Sequence, residues 1–186
     1  MKKTAKSGNK QKQKETNAEI ERLEREQALR HEREIAELKS QRGLDIVDIP
    51  PDGDCLYNAV ANQLSRIKGF EQVCHLRRAA KYIREHKDDF IPFLESDDPL
   101  DEFEFEKYCH GVENESKDGG VWGGEPELNA LSQSLERSIE VCNFAGFQYL
   151  IFGEQFNKTK PLIIVYHRHA YQLGAHYNST AIRATS

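Results

Sequence analysis

The chain has 186 residues and a net charge of −5, and its composition is 38% hydrophobic and 31% charged. These values suit one domain of ordinary size with a polar extension. We expect no membrane-spanning segment, because no apolar run approaches the ~20 residues that such a helix needs. The Lys-rich start has no apolar segment behind it, so we also expect no secretory signal.

The first 43 residues differ in composition from everything that follows them. They hold 12 Lys/Arg, 8 Asp/Glu and no aromatic residue, a net charge of +4, whereas the rest of the chain has a net charge of −9. Residues 1–14 are rich in Lys, Asn and Gln, and this composition predicts disorder. Residues 15–41 lack Gly and Pro and predict a long helix, which Gly43 would end. Their apolar positions are too few and irregular to establish a coiled coil, so a solvated charged helix and a partner-binding helix both remain open.

Residues 44–186 are predicted to form the folded domain, and its first part is mainly helical. Apolar periodicity and the positions of Gly and Pro define the elements. In chain order they are a strand at 44–49, a helix beginning at Cys55, a helix at 70–86, a short helical segment at 90–94, a helix at 101–109, a flexible polar loop at 114–120 and a helix at 122–135.

From Ser138 onward the pattern changes to that of strands. Residues 161–166 are a continuous apolar run, which is typical of a buried central strand. The other predicted strands are 138–141, 149–151 and 177–182. Residues 168–175 are predicted to connect the strand at 161–166 to the strand at 177–182. The order of elements predicts an α+β fold, or a three-layer α/β arrangement, with a small mixed sheet packed between helices.

Four cysteines occur without a Cys-x-x-Cys pair, and we expect them to be reduced in an intracellular protein. The adjacent pairs Cys74-His75 and Cys109-His110 raise the alternative of a zinc site. Their spacing does not match that of known zinc ligand sets, so we predict no metal.

Cys55 follows a Pro-Pro-Asp-Gly-Asp turn and begins an apolar helix face formed by Leu56, Ala59, Val60 and Leu64. Unpaired N–H groups and the helix dipole favour an anion at such a position. We therefore expect the pKa of this thiol to be lowered and the same N–H groups to be able to stabilise an oxyanion. The alternative is a small buried residue at the start of a core helix.

A catalytic cysteine needs a base, and histidine is the usual choice. Of seven histidines, His176 lies in a predicted turn that leads into a strand, two residues before Asn178. Residues i and i+2 of a strand share a face, so the Asn178 amide can hold the imidazole in one tautomer, as in a Cys-His-Asn triad. The alternative is an ordinary histidine on a surface hairpin.

Two stretches together, Asp-Gly-Asp-Cys-Leu-Tyr at 52–57 and His-Tyr-Asn-Ser at 176–179, resemble the OTU (ovarian tumour) family of cysteine deubiquitinases. The segment beginning Trp-Gly-Gly-Glu-Pro-Glu at 122 is similar to the central segment of that family. Residues 161–174 look most like the OTU domain-containing protein 6 group, to which yeast Otu2 belongs. The resemblance covers about residues 40–182 and implies a papain-like OTU fold that needs no metal or organic cofactor.

The resemblance also implies a role for individual residues. Cys55 would be the nucleophile, His176 the general base and later the acid, and Asn178 the residue that orients His176. Asp52 would be the motif acid that shapes the cysteine loop, whose backbone forms the oxyanion hole. The predicted channel for the ubiquitin tail is lined by Gly53, Asp54, Trp122, Gly123 and Gly124.

Some of these residues also have a purely structural interpretation. Trp122 would then be a buried core anchor and the two glycines a helix entry, and we favour this interpretation over a channel wall. We expect Cys74, Cys109 and Cys142 to be buried and inert. His169 is predicted to support the loop that positions His176.

The function implied by the resemblance is hydrolysis of the isopeptide bond after the Gly-Gly end of ubiquitin, through a thioester on Cys55. The alternative is a non-catalytic ubiquitin-binding or scaffold protein on the same fold. A third hypothesis adds docking of the Lys-rich N-terminal segment on a ribosome or translation factor, although the interleaved Glu residues argue against strong nucleic-acid binding. We expect a cytoplasmic protein with a nuclear fraction.

Overall fold

The computed structural model describes residues 4–67, 75–94, 101–143, 148–156, 160–171 and 174–183. The chain divides into two compact units, of which the first ends at Gly43 and the second begins at Leu44. This division falls at the position where the composition changes. Within the described ranges, no helix has a stretch long and apolar enough to cross a membrane.

The first unit is a single long helix, α1, spanning Thr4–Arg42. Exposed ion pairs follow its surface, such as Arg22 with Glu19 at 2.6 Å, and each contributes only a little. The helix begins at Thr4, within the stretch of residues 1–14 for which the composition predicts disorder, and no proline interrupts it. Gly43 follows the helix with φ +61°, a conformation that glycine adopts readily, and so ends it as predicted.

The second unit contains five more α-helices and a five-stranded sheet among its described residues. The helices are α2 (Cys55–Leu64), α3 (His75–Glu85), α4 (Lys87–Phe90), α5 (Glu102–Glu113) and α6 (Glu125–Leu135). Short 3-10 turns occupy Ile91–Phe93, Ser116–Asp118 and Glu154–Phe156. The strands are β1 (Leu44–Val47), β2 (Ile139–Asn143), β3 (Gln148–Phe152), β4 (Leu162–Tyr171) and β5 (Gly174–Ile182).

The sheet has the strand order β1-β5-β4-β2-β3 and is mixed. The β2–β4 pair is parallel, and every other pair is antiparallel. The predicted central position of the apolar strand β4 is therefore confirmed, as is the α+β class. Because β1 pairs with β5 in a register that sets Val47 opposite Ser179, the chain leaving β1 runs beside the segment that carries His176 and Asn178.

The core is formed where α2, α3 and α6 pack on one another and on the sheet. The predicted apolar face of α2 is confirmed, because Leu56, Ala59, Val60 and Leu64 are all buried. Pro126 lies in the first turn of α6, as predicted, and the leucines of that helix are buried. These contacts fix the start of α2, where Cys55 lies, against the sheet.

Several predicted boundaries differ from the structure. The predicted connection at 168–175 is wrong, because residues 168–171 extend β4 and Gly174 already begins β5. His167 pairs with His176 and Tyr171 pairs with Gly174, with an irregularity in the register between these two pairs. Helix α5 continues four residues beyond Cys109, while the start of the helix predicted at 70–86 lies outside the described residues.

Candidate active site

The loop before Cys55 is a tight turn closed by its own backbone and by Asp52. The N–H of Asp52 donates to the Pro50 carbonyl at 2.9 Å, and the N–H of Asp54 donates to Asp52 Oδ1 at 3.0 Å. The second bond is an Asx-turn, in which a short carboxylate stabilises the backbone two residues on. Asp52 therefore shapes the loop, as the sequence predicted, and Cys55 follows as the first residue of α2.

Burial dominates the electrostatics of the Cys55 thiol. The side chain is buried, and its desolvation raises the thiol pKa above the ordinary value, with the Asp52 carboxylate adding to the rise. The backbone N–H groups of Tyr177 and Leu56 act in the opposite sense but do not outweigh burial. The expectation of a lowered pKa is therefore wrong, because loss of water outweighs the helix N-terminus. In the free chain the thiol keeps its proton and needs a base.

His176 and Asn178 lie together on β5, each about 2% exposed, with His176 Nε2 3.0 Å from Asn178 Oδ1. The backbone N–H of Ile49 donates to the same Oδ1 at 2.8 Å. A backbone N–H can only donate, so this bond fixes which end of the amide is oxygen. Nε2 must then carry a hydrogen, which leaves Nδ1 of His176 as the basic nitrogen. Sequence reasoning anticipated the Asn178 contact and missed Ile49.

The thiol of Cys55 lies at the beginning of the same strand. The N–H of Tyr177, the residue directly after His176, is close enough to lower the pKa of the Cys55 thiol. Both Cys55 and Tyr177 line a cleft of about 290 Å³. The structure thus brings the predicted nucleophile and the predicted base to one end of the sheet from positions more than 100 residues apart.

The opposite wall of the cleft is formed by the Trp-Gly-Gly segment before α6. Trp122 is 53% exposed, so the interpretation of this residue as a buried core anchor is wrong. Its indole Nε1 lies 2.8 Å from the position that a Cβ on Gly53 would take. At Gly123 a Cβ would lie 3.1–3.2 Å from the side chains of Leu56 and Tyr57. The structure therefore brings the predicted channel residues Gly53, Trp122, Gly123 and Gly124 to the cleft wall.

One predicted channel residue differs from expectation, and one predicted supporting residue stays untested. Asp54 does not line the cleft; its carboxylate instead accepts from the N–H and hydroxyl of Ser116. The side chain of His169 lies outside the described residues, so its supporting role stays a prediction. Sequence reasoning had treated the loop that contains Ser116 as flexible.

A buried carboxylate that the sequence analysis missed supports the Trp-Gly-Gly segment. Glu127 is 3% exposed and accepts from the Gly124 N–H at 2.6 Å and from the Tyr108 hydroxyl. Glu at the third position of a helix is the acidic half of a capping box, and this was the available signal. Glu127 therefore ties the start of α6 to α5 and holds one wall of the cleft.

The other described cysteines lie away from the cleft lining. Cys109 and Cys142 are buried and not in disulfides, and burial raises the pKa of Cys109 to about 11, so its reactive thiolate is scarce at neutral pH. Cys74 lies outside the described residues. Over the ranges that the structure describes, His, Cys, Asp and Glu side chains form no cluster able to hold a metal ion.

The chain is similar to known proteins in sequence and in fold. Residues 50–177 match the family described as OTU-like cysteine protease. The chain is 42% identical over 166 residues to human "Deubiquitinase OTUD6B", which covers 87% of this chain and 54% of that protein. It is 32% identical over 154 residues to "Ubiquitin thioesterase otu2" of Schizosaccharomyces pombe, covering 81% of this chain and 50% of that protein. The chain thus spans about half the length of these curated relatives.

Solved structures agree on the fold. The OTU domain of OTUD1 superposes with a TM-score of 0.60 at 23% identity, covering 85% of this chain and 99% of that one. An OTU domain in complex with ubiquitin gives a TM-score of 0.51 at 21% identity, covering 74% and 69%. The predicted resemblance to the OTU domain-containing protein 6 and Otu2 group is confirmed. The chain belongs to the OTU-like cysteine protease family.

Proposed function

We propose that this chain is a cysteine-type deubiquitinase that hydrolyses the isopeptide bond after the C-terminal Gly-Gly of ubiquitin. The observation that carries the proposal is the array in which Ile49 fixes Asn178, Asn178 fixes His176, and Cys55 lies beside the next residue of the same strand. The names of the relatives and the ubiquitin-bound OTU structure support ubiquitin as the modifier.

The proposed proton transfers follow from the tautomer of His176. Nδ1 of His176 takes the proton from Cys55, and the thiolate attacks the carbonyl carbon of the last glycine. The resulting imidazolium gives its proton to the leaving lysine amine, which produces a thioester on Cys55. Water, deprotonated by His176, then attacks the thioester and releases the ubiquitin carboxylate and the free thiol. Because burial raises the pKa of Cys55 above its ordinary value, the thiolate is disfavoured and a base such as His176 promotes the attack.

The N–H of Cys55 is in a suitable state to bind the developing oxyanion. The N–H of Asp54 is already taken by the Asp52 carboxylate at 3.0 Å. The N–H of Cys55 makes only a long 3.4 Å contact with the Asp52 carbonyl. A short bond to an oxyanion would replace that weak contact at little cost, so we assign Cys55 N–H as an oxyanion donor.

The cleft explains a preference for glycine at the end of the substrate. Space near Gly53 and Gly123 is so limited that even a methyl group on either residue would press on its neighbours. These glycines let the cleft walls pack closely around a volume of about 290 Å³, which suits a slender substrate segment. A Gly-Gly terminus is such a segment.

A ubiquitin derivative with a C-terminal electrophile tests the proposal by intact mass. We expect a single adduct that maps to Cys55 and is lost in Cys55→Ala, while Cys109→Ala serves as a matched control that keeps it. An adduct on Cys109 or Cys142 with Cys55 untouched would overturn the assignment. Ubiquitin binding with no adduct at all would favour the scaffold alternative, which the complete Cys-His-Asn set does not favour.

A second proposal concerns residues 1–43, whose net charge of +4 suits loose binding to a ribosome or translation factor. Salt-dependent co-sedimentation with ribosomes, with and without residues 1–43, tests it. Loss of binding on deletion is the expected result, and equal binding by both forms would refute it. We propose a cytoplasmic location with a nuclear fraction, to be checked by fluorescence of the tagged chain.

A further inference from the structure

The loop between α5 and α6 is tied directly to the residue before the nucleophile. The Ser116 N–H lies 3.0 and 3.1 Å from the two carboxylate oxygens of Asp54, and the Ser116 hydroxyl donates to Oδ2 at 3.0 Å. Sixty-two positions separate the two residues in the sequence. A carboxylate that accepts from several donors is held firmly in one orientation.

Tight packing next to this contact reinforces it. A Cβ on Gly53 would lie 2.5 Å from Ser116 Cβ, a separation that real structures do not show. The cysteine loop and the Ser116 loop therefore lie directly against each other, with only a glycine between Asp52 and Asp54 to permit it. A substitution at Ser116 therefore directly changes the contacts of the Asp54 carboxylate.

Asp54 is in an unusual state for its position. It is the N-cap residue of α2, where an Asp side chain normally accepts from an N–H of the first turn. Here its carboxylate makes no such bond, since it is turned to Ser116 instead. As a result no Asp54 oxygen covers the start of α2, where the Leu56 N–H lowers the pKa of the Cys55 thiol and Cys55 N–H is the proposed oxyanion donor.

We propose that Ser116 is a positioning residue that holds the Asp54 carboxylate away from the N-terminus of α2, so that the N–H groups there serve the Cys55 thiolate and the oxyanion. Without this hold, Asp54 turns to its normal capping position. Its carboxylate then accepts from the Leu56 or Tyr57 N–H, as an N-cap does, and adds a negative charge beside the sulfur and the developing oxyanion. The inference rests on the proposed function for its role in turnover, but its effect on the thiol is independent of substrate.

The variants form a graded series. Ser116→Ala removes one of the three bonds, while the backbone N–H remains. Ser116→Asp sets a second carboxylate against Asp54 and expels it. We expect kcat to fall about tenfold in the first and about 100-fold in the second, on the scale of losing an oxyanion donor. KM should stay within about twofold, because the cleft walls are unchanged, and Ser65→Ala, which removes an exposed local hydroxyl bond, should be silent.

Asp54→Ala added to Ser116→Asp gives the decisive result. If the displaced Asp54 carboxylate causes the loss of kcat in Ser116→Asp, removing that carboxylate restores part of the loss. The double variant then has a higher kcat than Ser116→Asp alone. A purely structural role predicts the opposite, a double variant no better than its worse parent. Equal or lower activity of the double variant, with a melting temperature near that of the wild type, would overturn the proposal.

Alkylation of Cys55 by iodoacetamide separates this inference from the proposed function, because it needs no ubiquitin. We expect the rate at pH 7.5 to fall in Ser116→Asp and to recover in the double variant. If alkylation follows this order while no variant or wild type hydrolyses ubiquitin, the proposed function fails and the positioning role stands. If alkylation is the same in all folded variants, the positioning role fails.

Discussion

The backbone N–H of Ile49 lies 2.8 Å from Oδ1 of Asn178, so the end of the first strand segment fixes the amide that orients His176. Both residues are buried, and no water is needed to complete the contact. Oδ1 of Asn178 thus accepts from two donors, the backbone N–H of Ile49 and the Nε2–H of His176. Folding of the domain and the protonation pattern of the imidazole are therefore linked at this atom.

Because of that link, Asn178→Ala and His176→Ala should differ in their effects on kcat and on the free energy of unfolding. We expect His176→Ala to lower kcat about 10²- to 10⁴-fold, because the proton carrier is lost. Asn178→Ala should cost less in kcat, but it also leaves the buried Ile49 N–H without an acceptor and lowers the free energy of unfolding by about 1–3 kcal/mol. Kinetics with a ubiquitin substrate and urea melts measure the two effects. Equal kcat losses in two well-folded variants would show that Asn178 does more than orient.

Asp52→Asn should make Cys55 easier to ionise. The Asp52 carboxylate raises the pKa of the thiol, whereas the amide oxygen of Asn can still accept from the Asp54 N–H and keep the turn. Removing the charge therefore shifts the pH midpoint of Cys55 alkylation to a lower value, with a faster rate at pH 7. Iodoacetamide rates from pH 6 to 10 measure this. A midpoint that moves upward would mean that the carboxylate stabilises the thiolate.

Tyr57 and Tyr108 form a matched pair near Glu127. The Tyr57 hydroxyl is buried and finds no hydrogen-bond partner among the described residues, whereas the Tyr108 hydroxyl donates to the Glu127 carboxylate. Tyr57→Phe should therefore leave stability unchanged or raise it, while Tyr108→Phe should lower it by about 1–3 kcal/mol. Denaturant melts of both variants give the comparison. A Tyr57→Phe variant as unstable as Tyr108→Phe would reveal a partner for the Tyr57 hydroxyl.

Deleting residues 1–40 should leave the domain folded. The described core residues all lie after Gly43, and the described apolar side chains Ile20, Leu23 and Leu29 of α1 are exposed. We expect thermal melts of full and truncated chains to agree, with changes limited to partner binding or activity on large substrates. A truncated chain that aggregates, or melts more than about 10 °C lower, would place α1 within the fold.

The sequence alone determined the elements whose signals are local. The face of α2 follows from apolar spacing along one helix, the central β4 from one apolar run, and the first turn of α6 from Pro126. The contact between His176 and Asn178 was also predictable from the sequence, because side chains two residues apart on a strand lie on the same face. Such features depend only on neighbours in the chain.

Tertiary structure decided everything that depends on which distant segments meet. The Ser116–Asp54 and Ile49–Asn178 bonds join residues 62 and 129 positions apart, and no local pattern marks them. The exposure of Trp122 depends on the cleft it faces. Packing also reversed the predicted shift of the Cys55 pKa, which was expected to be lowered and is raised. The helix N-terminus is a local effect readable from sequence, whereas desolvation depends on how the whole domain packs around the sulfur, and in this fold desolvation is the larger of the two.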